Sequence, residues 1–235
     1  MCTHAYEKLT MNYLPSIEVE PSITATASVI WLHGLGADGH DFEPIVTELN
    51  LPKDLAIRFV FPHSPSIPVT INGGMTMPAW YDILDMSIER KVDVQQLTIS
   101  SSAVQALIDR EIERGINAER IILAGFSQGG AVAYHAALSY SQPLGGLLAM
   151  STYFATKDTI KIHDNNKLIN INIMHGSQDA VVDPVLAKQA VKALTDNGFQ
   201  PSFKQYPMQH SVCAEQVADI SNWLQARLIT TGINS

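Results

Sequence analysis

The sequence predicts an α/β fold in which a mostly parallel central sheet is covered by helices on both faces. Short apolar runs typical of buried strands alternate along the chain with longer segments of helical periodicity, and this alternation favours parallel strands joined by helical crossovers. Hydrophobic residues make up 46% of the 235 residues, and charged residues only 16%, below the roughly 25% usual in soluble domains. The chain therefore has enough hydrophobic residues to form one large core.

The predicted strands are apolar runs of four to seven residues, followed by one alternating segment. The buried runs are 28–32, 57–61, 121–124, 146–150 and 168–174. Residues 202–206 (Ser-Phe-Lys-Gln-Tyr) alternate polar and apolar side chains, as an edge strand does.

The predicted helices each lie between two strands or follow the last one. They cover 41–49, 94–114, 128–140, 184–197 and 213–228. Because such crossovers leave a crevice beyond the carboxyl ends of the strands, we look for the functional residues there.

One segment, 62–77, fits neither pattern. It holds three prolines and two glycines among apolar side chains, and is too long for a simple connector and too apolar for a solvated loop. We expect it to form a lid or a pocket wall. We find no repeat or linker, which predicts a single domain over 11–235, preceded by an extension over 1–10 that lacks apolar periodicity. Met1 and Met11 are both candidates for the start of translation.

The charge balance argues against several classes of partner. The formal net charge is −8, so electrostatic binding to nucleic acid or to anionic lipid is not expected. The start of the chain lacks a secretory signal pattern, and no apolar run approaches about 18 residues, so we expect no transmembrane segment and a cytoplasmic location. Cys2 and Cys213 have no metal-binding or redox spacing and are expected to be free thiols.

The strongest motif is Gly125-Phe126-Ser127-Gln128-Gly129, which follows a predicted strand and opens a predicted helix. This is the G-x-S-x-G pattern in its diagnostic context, where a sharp turn exposes a nucleophilic serine and the flanking glycines avoid collisions. A glycine-rich phosphate loop or an ordinary tight turn is the alternative for the pentapeptide alone. The context favours Ser127 as a nucleophile.

A serine nucleophile needs a base and an acid, which in this arrangement follow it along the chain. Asp179 comes after the strand through Met174 and is the candidate acid, whereas Asp183 directly precedes Pro184 and is expected to cap a helix. His210 is the only histidine after Asp179 and is the candidate base. No histidine pair has a zinc-ligand spacing, so we expect no metal.

The oxyanion of an acyl-transfer reaction needs preorganised N–H donors. One candidate is the backbone N–H of Gln128, the residue after the nucleophile. The other is Leu35, between Gly34 and Gly36 in the loop after the first predicted strand. A plain turn is the alternative for that loop when it is considered alone.

Together these segments resemble the phospholipase/carboxylesterase family of small α/β-hydrolases, which includes acyl-protein thioesterases. The matching segments are 31–36, 79–82, 125–130, 175–179 and 208–213. The resemblance implies an α/β-hydrolase fold without a large cap domain, a triad of Ser127, Asp179 and His210, and oxyanion donors at Leu35 and Gln128. It implies hydrolysis of carboxylic esters and thioesters without a cofactor. Some members have arginine where this chain has Pro78.

The segment from Pro62 to Trp80 resembles the acyl-binding flap of that family, with an apolar wall to which five side chains are expected to contribute. These are Ile67, Val69, Met75, Met77 and Trp80, and the alternative is that Trp80 and the methionines only fill the core.

We therefore expect a serine carboxylesterase acting on short- to medium-chain acyl esters and on thioesters. The alternative is an acyl-protein thioesterase or lysophospholipase for long chains, acting on S-acylated protein or lysophospholipid. A non-catalytic binding protein on the same fold is disfavoured because every expected triad position holds a competent residue. The sequence leaves open whether the chain forms a homodimer.

Overall fold

The computed structural model describes residues 13–87 and 90–229, so the extension predicted for 1–10 lies outside the described residues. The strands are β1 Ser16–Val19, β2 Ala27–Leu32, β3 Ile57–Pro62, β4 Ser66–Val69, β5 Met75–Pro78, β6 Ile83–Asp85, β7 Lys91–Val92, β8 Ile121–Phe126, β9 Gly146–Met150, β10 Ile171–Gly176 and β11 Ser202–Tyr206. The α-helices are α1 Ile45–Glu48, α2 Val94–Glu113, α3 Gln128–Ser139, α4 Pro184–Asp196 and α5 Ala214–Leu228.

Seven strands form the central sheet in the order β1-β3-β2-β8-β9-β10-β11. Every pairing is parallel except that of β1 with β3, and β11 lies at the edge, as its alternating sequence predicts. Two small antiparallel sheets, β4 with β5 and β6 with β7, lie outside it. The predicted fold class is confirmed.

The sheet separates two apolar cores because successive side chains of a strand point to opposite faces. In β2, Ile30 and Leu32 join the core under α2, α3 and α4, whereas Val29 and Trp31 join the core under α1 and α5. All six residues of β2 are buried, as expected for a central parallel strand.

Two predicted elements are shorter than their sequence patterns indicate. The helix expected over 41–49 is reduced to α1, because Pro44 occupies its N-cap and the residue before a proline disfavours helical geometry. The strand expected to begin at Leu168 begins at Ile171, since Asn166 bonds three main-chain groups of the 140–144 segment and holds the chain in a turn. Leu168 is 97% exposed.

The irregular segment 62–77 contains a hairpin. Strands β4 and β5 pair across a 3₁₀ helix, Thr70–Asn72, and the turn is closed by Gly73 and Gly74, both with positive φ. Thr70 donates from both its N–H and its hydroxyl to the Asp82 carboxylate, which ties the hairpin to the chain after it.

Within the described ranges, no helix combines the length and the apolar character needed to cross a bilayer.

Candidate active site

Ser127 lies between β8 and α3, at the carboxyl edge of the sheet. Its backbone has φ 52° and ψ −120°, which is strained for a residue with a side chain. Its N–H donates to Met150 O at 2.9 Å, and the Thr152 hydroxyl donates to Ser127 O at 2.6 Å. The neighbouring strand end therefore holds the serine in this strained conformation.

The glycines two residues on either side of Ser127 allow the turn to pack. A Cβ at Gly125 would lie 2.6 Å from Gly129 O, and a Cβ at Gly129 would lie 2.5 Å from His33 O. Both distances are too short for real atoms, so only glycine fits at either position.

His210 lies in the loop between β11 and α5 and contacts both other residues of the predicted triad. Its Nε2 is 3.0 Å from Ser127 Oγ, and its Nδ1 is 2.7 Å from Asp179 Oδ2. The Phe126 ring packs against the imidazole with ring centroids 4.7 Å apart. The structure thus brings together three side chains that are 83 and 31 residues apart in sequence.

Asp179 follows β10 and is almost fully buried. Its Oδ1 accepts hydrogen bonds from the N–H groups of Val181 and Val182, at 2.9 and 2.8 Å. Burial by itself raises the pKa of this carboxyl, but hydrogen bonding with His175, His210 and the Val182 N–H outweighs it and holds the pKa well below its usual range. The carboxylate facing His210 is therefore ionised.

The loop after β2 passes directly beside the serine. A Cβ at Gly34 would lie 3.5 Å from Ser127 Cβ, and the next residue, Leu35, lines the same cavity as Ser127. Gly36 has a φ of +77° and its N–H donates to Pro78 O at 2.8 Å, which fixes the loop. Within the described chain, the Leu35 N–H donates to no protein acceptor.

Gln128 is the first residue of α3, so its N–H has no acceptor within the helix. Its buried side chain has a separate role, which the sequence did not indicate. The amide oxygen accepts from Trp80 N–H at 2.9 Å, and the amide nitrogen donates to Tyr81 O at 2.6 Å. Gln128 therefore holds the 80–81 segment against the site.

A cavity of about 250 Å³ opens beside Ser127 and is largely apolar on one side. Leu35, Gln128 and His210 also line it. Its apolar wall is formed by Leu35, Ile71, Ile83, Met86, Phe126 and Val181.

None of the five residues predicted for the acyl wall lines this cavity. Val69 and Trp80 are fully buried, and Trp80 Nε1 donates to His33 O at 2.9 Å, as the core alternative expects. Met75 is exposed, while Ile67 and Met77 pair across the hairpin. Their contact with an acyl chain stays a prediction.

The sequence missed the wall residues that do line the cavity, because their positions depend on how the small sheets fold over the site. Ile71 lies within the 62–77 segment but is not among the five residues predicted for the acyl wall. Ile83 and Met86 lie in and after β6, which the sequence did not reveal. Phe126 has no role of its own in the G-x-S-x-G pattern, yet its ring contacts His210.

Two further groups bear on the sequence predictions. Asp183 caps α4, its carboxylate accepting from Val185 N–H at 2.8 Å, as predicted. Asp38, His40 and His63 bring their ligand-type atoms within 4.8 Å of one another near the surface. In that group His40 Nδ1 contacts Asp38 Oδ1 at 3.0 Å and His63 Nδ1 accepts from Gly39 N–H at 3.2 Å, so one ring nitrogen of each histidine already has a partner within the protein.

The chain matches one protein family and several curated relatives over most of its length. The profile of the family described as Phospholipase/Carboxylesterase matches residues 15–228. Acyl-protein thioesterase 1 of Gibberella zeae is 34% identical over 214 residues, covering 86% of this chain and 91% of that protein. Acyl-protein thioesterase 1 of Neurospora crassa is 36% identical over 225 residues, covering 91% and 92%.

Solved structures give the same result. The crystal structure of Arabidopsis thaliana SOBER1 matches with a TM-score of 0.81 and 30% identity, over 86% of this chain and 99% of that one. Acyl-protein thioesterase 2 of Zea mays matches with a TM-score of 0.81 and 28% identity, over 92% and 100%. The chain therefore belongs to the phospholipase/carboxylesterase family and is a carboxylic ester hydrolase of the α/β-hydrolase fold.

Proposed function

We propose that this protein is a serine-dependent acyl thioesterase that removes acyl groups from S-acylated proteins. The observation that carries the proposal is the His210 imidazole, which contacts Ser127 Oγ at 3.0 Å and Asp179 Oδ2 at 2.7 Å. The two curated relatives named acyl-protein thioesterase 1 support the substrate class.

In the proposed reaction, His210 Nε2 takes the proton of Ser127 Oγ as Oγ attacks the acyl carbonyl. Asp179 accepts a hydrogen bond from Nδ1–H and stabilises the imidazolium that forms. In this proposal, the N–H groups of Leu35 and Gln128 donate to the developing oxyanion.

The tetrahedral intermediate then collapses. The bond between the carbonyl carbon and sulfur breaks, and the thiolate leaves with the proton held by His210. Water attacks the resulting acyl-serine with His210 again acting as base, which releases the acid and restores the serine. The protein groups alone complete this cycle, and operation without a cofactor or metal stays a prediction.

A second candidate function is hydrolysis of short- to medium-chain carboxylic esters. The volume of the cavity favours it, because about 250 Å³ lies just below the roughly 300–1,000 Å³ usual for sites that enclose a drug-sized ligand. The two functions share the same catalytic residues and differ in the length of the acyl chain and in the leaving group.

The test measures kcat/KM for a palmitoylated cysteine peptide and for p-nitrophenyl butyrate. The thioesterase proposal expects the peptide to be the better substrate, and the reverse order supports the esterase. A fluorophosphonate should form one adduct with the wild type and none with Ser127→Ala. Since one hydroxyl is removed, the variant should lose several orders of magnitude in kcat while its melting temperature changes little. An adduct that persists in Ser127→Ala would contradict the assignment of the nucleophile.

The cytoplasmic location and the homodimer remain predictions. Gel filtration with light scattering measures the molar mass in solution and so tests for the homodimer directly.

A further inference from the structure

Arg90 joins two segments that border the cavity beside Ser127. It lies just before β7, its N–H donates to Ser87 O at 2.8 Å, and its backbone φ is 33°. Its Nη2 donates to Val181 O at 2.6 Å, in the loop after β10. Its guanidinium lies over the Tyr153 ring, with Cζ 4.8 Å from the ring centroid. The side chain therefore bridges the edge of the small β6–β7 sheet to the loop that carries Asp179.

Beyond Arg90 lies a second and larger cavity, of about 640 Å³. Arg90 and Tyr153 line both cavities, and among residues 13–87 and 90–229 the two linings share no others. Tyr153 is buried, and its hydroxyl is 2.7 Å from the Tyr81 hydroxyl, so its position is fixed. Arg90 is partly exposed and is held by one hydrogen bond and one cation–π contact, each weak by itself. Of the two shared residues, Arg90 is the one that can move.

The second cavity has an apolar floor and a charged rim. Phe154, Leu186 and Ala190 are buried at its floor beside Tyr153. At the rim, Lys157 pairs with Asp158 and Lys192 pairs with Asp196, so these charges are compensated within the protein. The accessible surface of this cavity is more polar than apolar overall, so an alkyl chain would contact its narrow apolar floor, and the compensated rim charges leave no unpaired cation there for a free anion.

We propose that Arg90 is a partition that determines the acyl-chain length accepted at Ser127. With its guanidinium on Tyr153, an acyl chain is confined to the cavity of about 250 Å³. When the side chain rotates away, the two cavities join, and the distal methylenes of a long chain lie on the floor of the second one. This inference rests on the proposed acylation of Ser127 and adds a specificity-determining residue to it.

The experiment compares kcat/KM for p-nitrophenyl decanoate and p-nitrophenyl butyrate in the wild type, Arg90→Ala, Arg90→Met and Arg90→Lys. Each additional methylene removed from water favours binding by roughly fourfold, so the decanoate-to-butyrate ratio should rise at least about tenfold in Arg90→Ala. Arg90→Met keeps much of the length but loses the hydrogen bond and the charge, and its ratio should also rise. Arg90→Lys can still donate to Val181 O, and its ratio should stay near that of the wild type.

Arg227→Ala is the matched control. Arg227 is an exposed arginine whose Nε donates to one main-chain carbonyl, Gly145 O at 3.2 Å, and it lies on α5, on the other face of the sheet. Its ratio should equal that of the wild type.

An unchanged or lower ratio in folded Arg90→Ala, or in Arg90→Met should the alanine variant not fold, would overturn the partition. Equal increases in Arg90→Lys and Arg90→Ala would also overturn it. Failure of the proposed function has a different signature, because the wild type would then show no butyrate hydrolysis that depends on Ser127.

Discussion

Two buried carboxylates lie near opposite ends of the parallel strands, and their partners differ. Asp179, at the carboxyl edge, is 4% exposed and contacts two imidazoles and two main-chain N–H groups. Glu111, on α2 at the other edge, is fully buried and contacts the guanidinium groups of Arg58, Arg110 and Arg114, at 2.8 to 3.3 Å.

The difference lies in whether the partner can change its charge. Arginine stays protonated at every physiological pH, so the charges around Glu111 are permanent and join α2 to β3. Histidine can take up a proton during a reaction, as the proposed mechanism requires of His210, so the charge beside Asp179 is not fixed. We infer that the first carboxylate serves chemistry and that the second serves stability.

The largest expected effect is that of Asp179→Asn on turnover. An amide cannot stabilise the imidazolium and favours the wrong tautomer of His210, so kcat should fall by about 10⁴. Steady-state hydrolysis of a butyryl thioester measures this. Asp183→Asn is the matched control, because Asp183 only caps α4 and asparagine caps helices nearly as well. A similar loss of kcat in both variants would remove the distinction between the two aspartates.

Glu111→Gln should have the next largest effect, and it should change stability rather than turnover. It removes the buried carboxylate that Arg58, Arg110 and Arg114 share, although each arginine still contacts Glu18 or Glu20, so the free energy of unfolding should fall by about 1–3 kcal/mol. Urea unfolding measures the change, and kcat of the folded variant should match the wild type because the site lies at the other edge.

Glu113→Gln tests whether burial of the carboxylate is the cause of the destabilisation expected for Glu111→Gln. Glu113 lies two residues further along α2 and makes an exposed hydrogen bond with Tyr13 at 3.3 Å. Its removal should change stability by about 0.5 kcal/mol or less. Equal destabilisation by both substitutions would mean that Glu111 is no more important than a surface charge.

These two carboxylates also show which kind of residue can be identified from the sequence alone and which kind cannot. Asp179 was selected because it follows a buried strand and precedes the candidate base, and the structure places it against His210. Glu111 carried no signal, since a single acidic residue in a helix does not reveal that β3 brings Arg58 to it, or that β1 brings Glu18 to its neighbour Arg110. Motifs thus identify residues fixed by local geometry, whereas contacts between distant elements need the fold.

The same limit explains why the residues that line the cavity were not predicted from the sequence. The sequence selected apolar residues of 62–77 by composition, and that segment does reach the cavity, through Ile71. It could not show which side chains point inward, because that depends on the register of β4 with β5 and on the unpredicted β6.

A smaller effect is expected at the turn that carries the nucleophile. Thr152→Val removes the hydroxyl that donates to Ser127 O at 2.6 Å, although that oxygen still accepts from Gly130 N–H at 3.0 Å. The free energy of unfolding should fall by about 1 kcal/mol, and kcat by no more than about fivefold. Thr152→Ser keeps the hydroxyl and should restore most of the lost turnover. If serine fails to restore kcat while valine lowers it, packing of the methyl group against Gly130 would be the cause instead.

The smallest expected effect is a pH dependence of stability due to His33, which directly follows β2. Its Nδ1 contacts Gly34 O at 2.7 Å and its Nε2 accepts from Ser64 N–H at 3.2 Å, so both nitrogens are used by the neutral ring. Burial lowers the pKa of His33 below its ordinary value, and burial also lowers the pKa of His135. Both imidazoles take up a proton on unfolding as the pH falls below about 6.5, the ordinary pKa.

The folded state therefore binds fewer protons than the unfolded state in this pH range, and stability should decrease from pH 7.5 to pH 5.5, by at most about 1.4 kcal/mol per pH unit for each histidine.

The depressed pKa of Asp179 affects stability in a separate, more acidic pH range. Its contribution is present above the ordinary carboxyl pKa near 4 and is lost only at more acidic pH. Urea unfolding at several pH values should give a shallower slope for His33→Gln than for the wild type, and a shallower one still when His135→Gln is added. An unchanged slope in the double variant would assign the pH dependence to other groups, and the contrast between fixed and titratable partners would then rest on Asp179 and His210 alone.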